Sequence, residues 1–289
     1  MSKRVDVGDG EGRGFVVCVD SGGDEAVTRV ERAPARRDDC DERLRVYVGA
    51  RELPMSPLAV IAAAALREGH RSTFELGVTA LTALRGDDGR VTVPLPAPVL
   101  GPREIEARAA VAASLGLREG DLDPELPITA GSCGTSSLLV PAALHAVGDA
   151  SFSPDAFRAV IEKARVLGAL VFGLDGDVIV ARWLALDTPP LADPGATMAT
   201  ACAAVLLARA GRLPIAVVTA EHGDAFGSSS DTQPVAIHGA APAGDVSTVY
   251  RARARHWTPA GRSARVEVTV RGAGRRDGDV AVSALARVG

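Results

Sequence analysis

The chain has 289 residues and a formal net charge of −4 at pH 7, which gives no reason to expect a nucleic acid or an anionic membrane as a partner. Hydrophobic residues make up 47% of the sequence and aromatic residues only 3%, so we expect a core built mainly of valine, leucine, isoleucine and alanine. The length suits one large domain or two domains of roughly 100–150 residues each.

The chain begins with MSKRVDVGDGEGRGF, which has no apolar segment and is therefore not a signal peptide. The next residues, GFVVCVD (14–20), are predicted to form a strand. The stretch 21–42 contains Gly22, Gly23 and Pro34 and has no continuous helical face, so we expect any helix there to be short or lost. No window of the chain is apolar for long enough to predict a transmembrane helix.

The first half continues with LRVYV (44–48), whose alternating and β-branched residues are typical of a half-buried strand. Ser56 and Pro57 then mark the start of an alanine-rich helix, and Gly69 marks its end. Further elements are predicted towards the middle of the chain: strands in 72–84 and 89–96, a helix over 103–116, and a connection through 120–134.

The second half repeats this order about 140 residues later. Its predicted elements are a strand in 137–144, a helix from Ser153 to about 167, strands in 169–174 and 177–186, a helix that follows Asp193 and Pro194 and ends at Gly211, and strands in 213–220 and 234–239. A repeat of this size predicts an α/β fold with two similar lobes. We place the N-terminal lobe at 1–126 and the C-terminal lobe at 127–289, with the last strand as a candidate to return to the first lobe.

The four cysteines are far apart in the sequence and form no CxxC pair. This spacing argues against a zinc ribbon or a disulfide framework. We therefore expect a soluble, cytoplasmic protein with reduced thiols and no metal site.

Two α/β halves that each place a helix start at a central cleft resemble the diaminopimelate epimerase-like fold, a mixed sheet around one central helix in each lobe. Within that fold the chain resembles the phenazine-biosynthesis isomerase (PhzF-like) family. The resemblance rests on LRVYVGARELPM, LPITAGSCGTSSLLVPAAL, ARWLALDTPPLADPGAT and EHGDAFGSSS. It implies a homodimer without a cofactor, an isomerase that moves a proton and with it a double bond.

The resemblance carries only part of the family's polar site to this sequence. Asp193 and Thr197 match the family's Asp-Pro-x-Thr segment, but Met198 and Ala199 stand where the family has Gly-Ser. Ser56 stands in place of the glycine of the family's Gly-His pair, so the histidine is absent, and no glutamate lies in a matching motif. The two-cysteine epimerases of the same fold have a thiol near Met198, so a two-thiol racemase is not expected.

Asp193 and His222 are the candidate catalytic residues. Asp193 could move the proton, or it could simply cap the helix that follows it. His222, in EHGDAFGSSS, has the side chain whose ordinary pKa suits proton transfer near neutral pH, although a histidine in a surface turn needs no function.

The candidate substrate-binding residues are small and polar. Ser56, Thr197 and Thr200 could hold a carboxylate at the two helix starts or only cap the backbone. Ser132 and Cys133, in GSCGTSS, lie in a loop whose N–H groups could approach a ligand, and the thiol there could be partly exposed. Cys202 lies on an apolar helix face and is expected in the core.

The sequence therefore predicts a cofactor-independent isomerase acting on a small carboxylate-bearing metabolite. The altered motifs favour a role in secondary metabolism, such as a double-bond shift in a pyrroline-carboxylate intermediate of antibiotic biosynthesis. Two alternatives stay open: a hydrolase or lyase that uses Cys133, and a catalytically inert small-molecule binding module.

Overall fold

In the computed structural model the described residues are 3–8, 15–19, 28–77, 79–101, 108–186, 195–213, 215–217, 248–257, 263–271 and 279–288. They contain seventeen strands. The strands are β1 (Lys3–Gly8), β2 (Phe15–Val19), β3 (Thr28–Ala33), β4 (Glu42–Val48), β5 (Arg51–Leu53), β6 (Arg71–Glu75), β7 (Ala80–Arg85), β8 (Arg90–Pro94), β9 (Val99–Leu100), β10 (Thr129–Ser132), β11 (Ser136–Pro141), β12 (Ala169–Asp175), β13 (Val178–Leu184), β14 (Ile215–Val217), β15 (Thr248–Trp257), β16 (Ser263–Arg271) and β17 (Asp279–Val288). The α-helices are α1 (Pro57–Ala65), α2 (Arg108–Ser114), α3 (Leu144–Asp149), α4 (Pro154–Ala164) and α5 (Ala196–Arg209).

Eight strands pair in a closed ring around α1. The ring runs β1, β2, β3, β4, β6, β7, β8 and β17, and β17 pairs back onto β1. Closure leaves every strand of the ring with two neighbours, so none presents an open edge. All residues of α1 except Ala65 are buried, as expected for a helix that is apolar on all sides.

The second lobe repeats the arrangement around α5. Its strands follow the order β9, β10, β11, β12, β13, β15, β16 and β17, and β14 pairs with β15. Every residue of α5 except Arg209 is buried. The predicted α/β fold of two lobes, each with a mixed sheet around a central helix, is confirmed.

The last strand, β17, belongs to both sheets. It pairs with β16 of the second lobe, and also with β8 and β1 of the first. One continuous apolar core contains α1, α5 and the strand faces turned towards them, while a separate core lies outside the second sheet under α2, α3 and α4. The boundary at residue 126 stays a prediction.

Several predicted elements differ from the structure at their ends. We expected the first central helix to end at Gly69, but α1 ends earlier, at Ala65, with Leu66 as its C-cap. The strand predicted over 137–144 stops at Pro141, and α3 follows it. The stretch 28–42, which we expected without a sustained helix, contains β3. No helix among the described residues has the length and apolar character needed to cross a membrane.

The start of the second central helix is also corrected. The N-cap of α5 is Gly195, and the helix begins at Ala196, so Asp193 is not its N-cap. Glycine is among the residues that helices accept at the N-cap. Asp193 itself, His222 and the strand predicted over 234–239 lie outside the described residues.

Candidate functional site

The side chain of the N-cap residue caps the start of α1. Ser56 is the N-cap, and its Oγ accepts a hydrogen bond from the backbone N–H of Ala59 at 3.3 Å. Pro57 takes the first helical position, where a missing N–H costs nothing. Ser56 is buried, so a group held by its hydroxyl would be withdrawn from water. The predicted capping role is confirmed.

The start of α5 has no equivalent side chain, because its N-cap is a glycine. A Cβ at Gly195 would lie 3.0 Å from Cζ2 of Trp183, so the indole ring packs directly against this turn of backbone. Thr197 follows in the first turn and Thr200 in the second, and both side chains are buried. The structure therefore places both predicted threonines at the start of the helix, inside the protein.

Residues 133–135, the turn between β10 and β11, connect the two helix starts. We call them the hairpin turn. A Cβ at Gly134 would lie 2.0 Å from Cε of Met55, the residue directly before Ser56. On its other side, the Thr135 hydroxyl donates to Sδ of Met198 in the first turn of α5, at 3.7 Å. The starts of both central helices thus meet at one loop of the second lobe.

The hairpin turn also brings two thiols together. Sγ of Cys133 lies 3.1 Å from Sγ of Cys202, and both side chains are fully buried. The expectation that Cys133 is partly exposed is wrong, because its side chain points into the core and its thiol packs against the second turn of α5. The expectation that Cys202 lies in the core is confirmed.

This environment does not suit a nucleophilic cysteine. The hydrogen bond with Cys133 and the burial of the side chain raise the pKa of the Cys202 thiol well above its ordinary value. A nucleophilic thiol needs access to its substrate, and the thiol of Cys133, the residue on which the hydrolase or lyase alternative depends, is fully buried. The arrangement therefore does not support the hydrolase or lyase alternative.

Ser132, the last predicted binding residue, is half-buried at the end of β10. Its Oγ accepts a hydrogen bond from the backbone N–H of Gly134 at 3.3 Å. The side chain therefore helps to shape the hairpin turn, whose glycine has a φ of +114°. Only glycine adopts this backbone conformation without strain.

Sulfur and hydroxyl groups dominate the junction of the two helix starts. Met55, Met198 and the two thiols meet there, together with Ser56 and Thr135, and none of these residues carries a carboxylate or an imidazole. Any proton carrier must come from another segment, and the two predicted ones, Asp193 and His222, lie outside the described residues. Among the described residues, no three histidine, cysteine, aspartate or glutamate side chains cluster as metal ligands would.

The sequence analysis missed two contributors to this junction. Met55 precedes the Ser-Pro helix start and so was a candidate for the hydrophobic residue that often flanks a cap. No local pattern in the sequence indicates that Trp183 contacts Gly195, because this contact forms only in the folded chain.

A second candidate location is a cavity of about 160 Å³ near the other end of α5. Its lining includes Leu207, Phe172 and Arg212. The Arg212 guanidinium is already paired, with Asp123 at 3.5 Å and Glu125 at 2.9 Å. Because the cationic group among its described lining residues has two acidic partners, this cavity is a weaker candidate for an anionic substrate than the junction of the helix starts.

No family model and no curated protein sequence matches the chain. Several solved structures are similar to the chain in fold. A phenazine biosynthesis protein of the PhzF family from Bacillus anthracis aligns with a TM-score of 0.68 and 15% identity, covering 100% of this chain and 96% of that one. A predicted epimerase from Pseudomonas aeruginosa aligns with a TM-score of 0.65 and 19% identity over 99% of this chain and 96% of that one.

A hydroxyproline epimerase from Agrobacterium vitis, with bound trans-4-hydroxy-L-proline, has a TM-score of 0.56 and 10% identity. The alignment covers 100% of this chain and 89% of that one. The chain therefore has the fold shared by PhzF-family proteins and by epimerases of this type.

Proposed function

We propose that the chain is a divergent PhzF-like isomerase that moves a proton, without a cofactor, in a small metabolite bearing a carboxylate. The observation that carries the proposal is the convergence of the two central helix starts on the hairpin turn, in a fold shared with PhzF-family proteins and a hydroxyproline epimerase. Each helix start directs its positive end and its first N–H groups towards the same place.

Such a place suits an anion. In the first turn of α1, Pro57 has no N–H and that of Ala59 bonds to Ser56, so Leu58 offers its backbone N–H. This group and the backbone N–H groups at the start of α5 would bind the substrate carboxylate or the negative charge that develops when a carbon-bound proton is removed. The Ser56 oxygen accepts from Ala59, which leaves its hydroxyl proton as a further donor. Thr197 lies in the first turn of the other helix. Both side chains are buried, and hydrogen bonds are stronger where water is excluded.

The proton itself needs a different group. Asp193 lies two residues before the N-cap of α5 in the sequence, so it is our first candidate, and His222 is the second. Either side chain can accept a proton from carbon and return it to another carbon, which shifts the double bond with no net change in atoms. We further propose a cytoplasmic homodimer that acts in secondary metabolism, with a pyrroline-carboxylate as one candidate substrate class.

Deuterium exchange tests the reaction class. Proline, trans-4-hydroxy-L-proline and pyrroline-2-carboxylate would be incubated with the protein in heavy water, and deuterium uptake on carbon would be measured by NMR. We expect uptake with at least one of these carboxylates, at a rate lowered about 100-fold or more in Asp193→Asn or in His222→Gln. No uptake with any compound of this set would contradict the proposal for this substrate class.

Two matched variants control for the loss of a carboxylate charge or of an imidazole ring. Asp87→Asn and His70→Gln change the same residue types at exposed positions, and both should exchange at the wild-type rate. Cys133→Ser should also retain exchange if the protein folds, because its thiol carries no proton in this scheme. Loss of exchange in Cys133→Ser but not in Asp193→Asn would indicate that the Cys133 thiol, and not Asp193, carries the proton.

One observation favours a second candidate function. Met55 and Met198 stand at the two helix starts, where they can shape a site but cannot transfer a proton. A catalytically inert binding module would bind one of the three carboxylates in calorimetry, with no deuterium uptake in heavy water. The two measurements together separate the candidates.

A further inference from the structure

We propose that Cys133 and Cys202 form a reversible intrachain disulfide that fastens the hairpin turn to α5. The inference does not depend on the proposed isomerase, because neither thiol takes part in that reaction. It concerns the oxidation state of the second lobe and the fixed position of its central helix.

The geometry that carries the inference is the close approach of the two sulfurs. They are 3.1 Å apart although 69 residues separate the two cysteines in the sequence. Cys133 lies in the hairpin turn and Cys202 in the second turn of α5, and both side chains are fully buried. A bond would therefore join two elements that already pack together.

Gly131 permits this approach. A Cβ at Gly131 would lie 2.8 Å from Cβ of Cys202, closer than side chains pack. The glycine therefore allows β10 to lie against α5 at Cys202.

Hydrogen peroxide is the oxidant. Because both thiols are buried and the Cys202 pKa is raised, the reaction is slow and takes place when the hairpin turn opens locally and transiently. One thiol is oxidised to a sulfenic acid with release of one water, and the second thiol then displaces a second water as the sulfur–sulfur bond forms. The two thiols lose two hydrogens and two electrons, and the peroxide is reduced to two waters. A dithiol reductant such as dithiothreitol reverses the bond by thiol–disulfide exchange.

The bond would act on more than the two cysteines. The hairpin turn also holds Gly134 against Met55 and Thr135 against Met198. Fixing Cys133 to α5 therefore fixes the loop on which both helix starts meet. Because the closed loop is long, we expect the melting temperature of the oxidised protein to rise by on the order of 10 °C.

Peptide mapping of the folded full-length protein tests the inference directly. The protein would be treated with peroxide, unreacted thiols would be blocked with an alkylating reagent after unfolding, and the digest would be analysed by mass spectrometry. We expect a linked peptide pair containing Cys133 and Cys202, the loss of two hydrogens from the intact mass, and return of both thiols after dithiothreitol. Unlinked Cys133 and Cys202 after the other thiols have reacted would overturn the proposal.

Variants assign the effect to this pair. Cys40→Ser, at a half-buried position outside the pair, should keep both the linked peptides and the rise in melting temperature. Cys133→Ala and Cys202→Ala should each abolish both, and alanine avoids placing a hydroxyl in the core. If either alanine variant fails to fold, the wild-type peptide map decides alone. A rise in melting temperature that persists in Cys202→Ala would show that another reaction causes it.

Discussion

The starts of the two central helices differ in what holds them. At α1 the N-cap Ser56 closes the first turn with its own oxygen, and Pro57 fixes the next residue. At α5 the N-cap is Gly195, and no side-chain hydrogen bond caps the helix among the described residues. Trp183 packs against this glycine instead. The N-cap side chain thus closes the first start, whereas an indole ring packs against the N-cap of the second.

The hairpin turn links these two arrangements. Met55, next to the locally capped start, packs against Gly134, while Met198, in the first turn of the other helix, accepts from Thr135. Both methionines are almost fully buried. The junction of the two helix starts therefore includes a loop of the second lobe as well as both helices.

Truncation of the two methionines has the largest expected effect and tests whether both helix starts rely on this loop. Met55→Ala and Met198→Ala should each lower the free energy of unfolding by about 2–5 kcal/mol, because each removes a buried side chain and leaves a cavity. Urea denaturation checks the values. If both starts depend on the hairpin turn, the two costs should be similar.

Leucine substitutions serve as matched controls for the truncations. Met55→Leu and Met198→Leu nearly preserve volume and should cost less than about 1.5 kcal/mol each. A cost for either alanine variant no larger than that of its leucine partner would show that the methionine does not fill the junction.

A substitution at Gly131 tests the contact between the hairpin and α5. Gly131→Ala should cost about 1–3 kcal/mol, since its Cβ would lie 2.8 Å from Cβ of Cys202 and the helix or the strand must shift. Gly120→Ala is the control, because a Cβ at this exposed glycine meets no atom within 4 Å. Equal stabilities of the two variants would mean that α5 is free to move away from the hairpin.

The sequence predicted the features that depend on neighbouring residues. The cap at Ser56, the core position of Cys202 and the two alanine-rich central helices all follow from short-range patterns. The N-cap of α5 and the burial of Cys133 did not follow. Gly195 packs against Trp183 of the preceding strand, and Cys133 packs against Cys202, 69 positions further along the chain.

The pairing partners of the last strand are a second feature that local patterns could not give, although its return to the first lobe was a candidate. The last strand, β17, pairs with β1 at the opposite end of the chain and with β16 of the other lobe. Alternation of side chains indicates that a segment is a strand but not which strand it joins. The same limit applies to the candidate site, which forms only where the hairpin turn meets both helix starts.

The cap itself is tested by making the first helix start resemble the second. Ser56→Ala should lower the free energy of unfolding by about 1 kcal/mol, whereas Ser56→Gly should cost only about a few tenths, because glycine is a tolerated N-cap. Thermal or urea unfolding measures both. Equal costs for alanine and glycine would indicate that the hydrogen bond to Ala59 does not stabilise α1.

The smallest expected effect concerns the hydroxyl that joins the hairpin turn to α5. Thr135→Val keeps the shape of the side chain but removes the donor to Met198 Sδ. A thioether is a weak acceptor, so the change should cost less than about 1 kcal/mol. A double-mutant cycle with Met198→Leu isolates the bond: if the hydroxyl acts through the sulfur, Thr135→Val should cost less in the leucine background than in the wild type. An identical cost in both backgrounds would leave packing, and not this hydrogen bond, as the link between the turn and the start of α5.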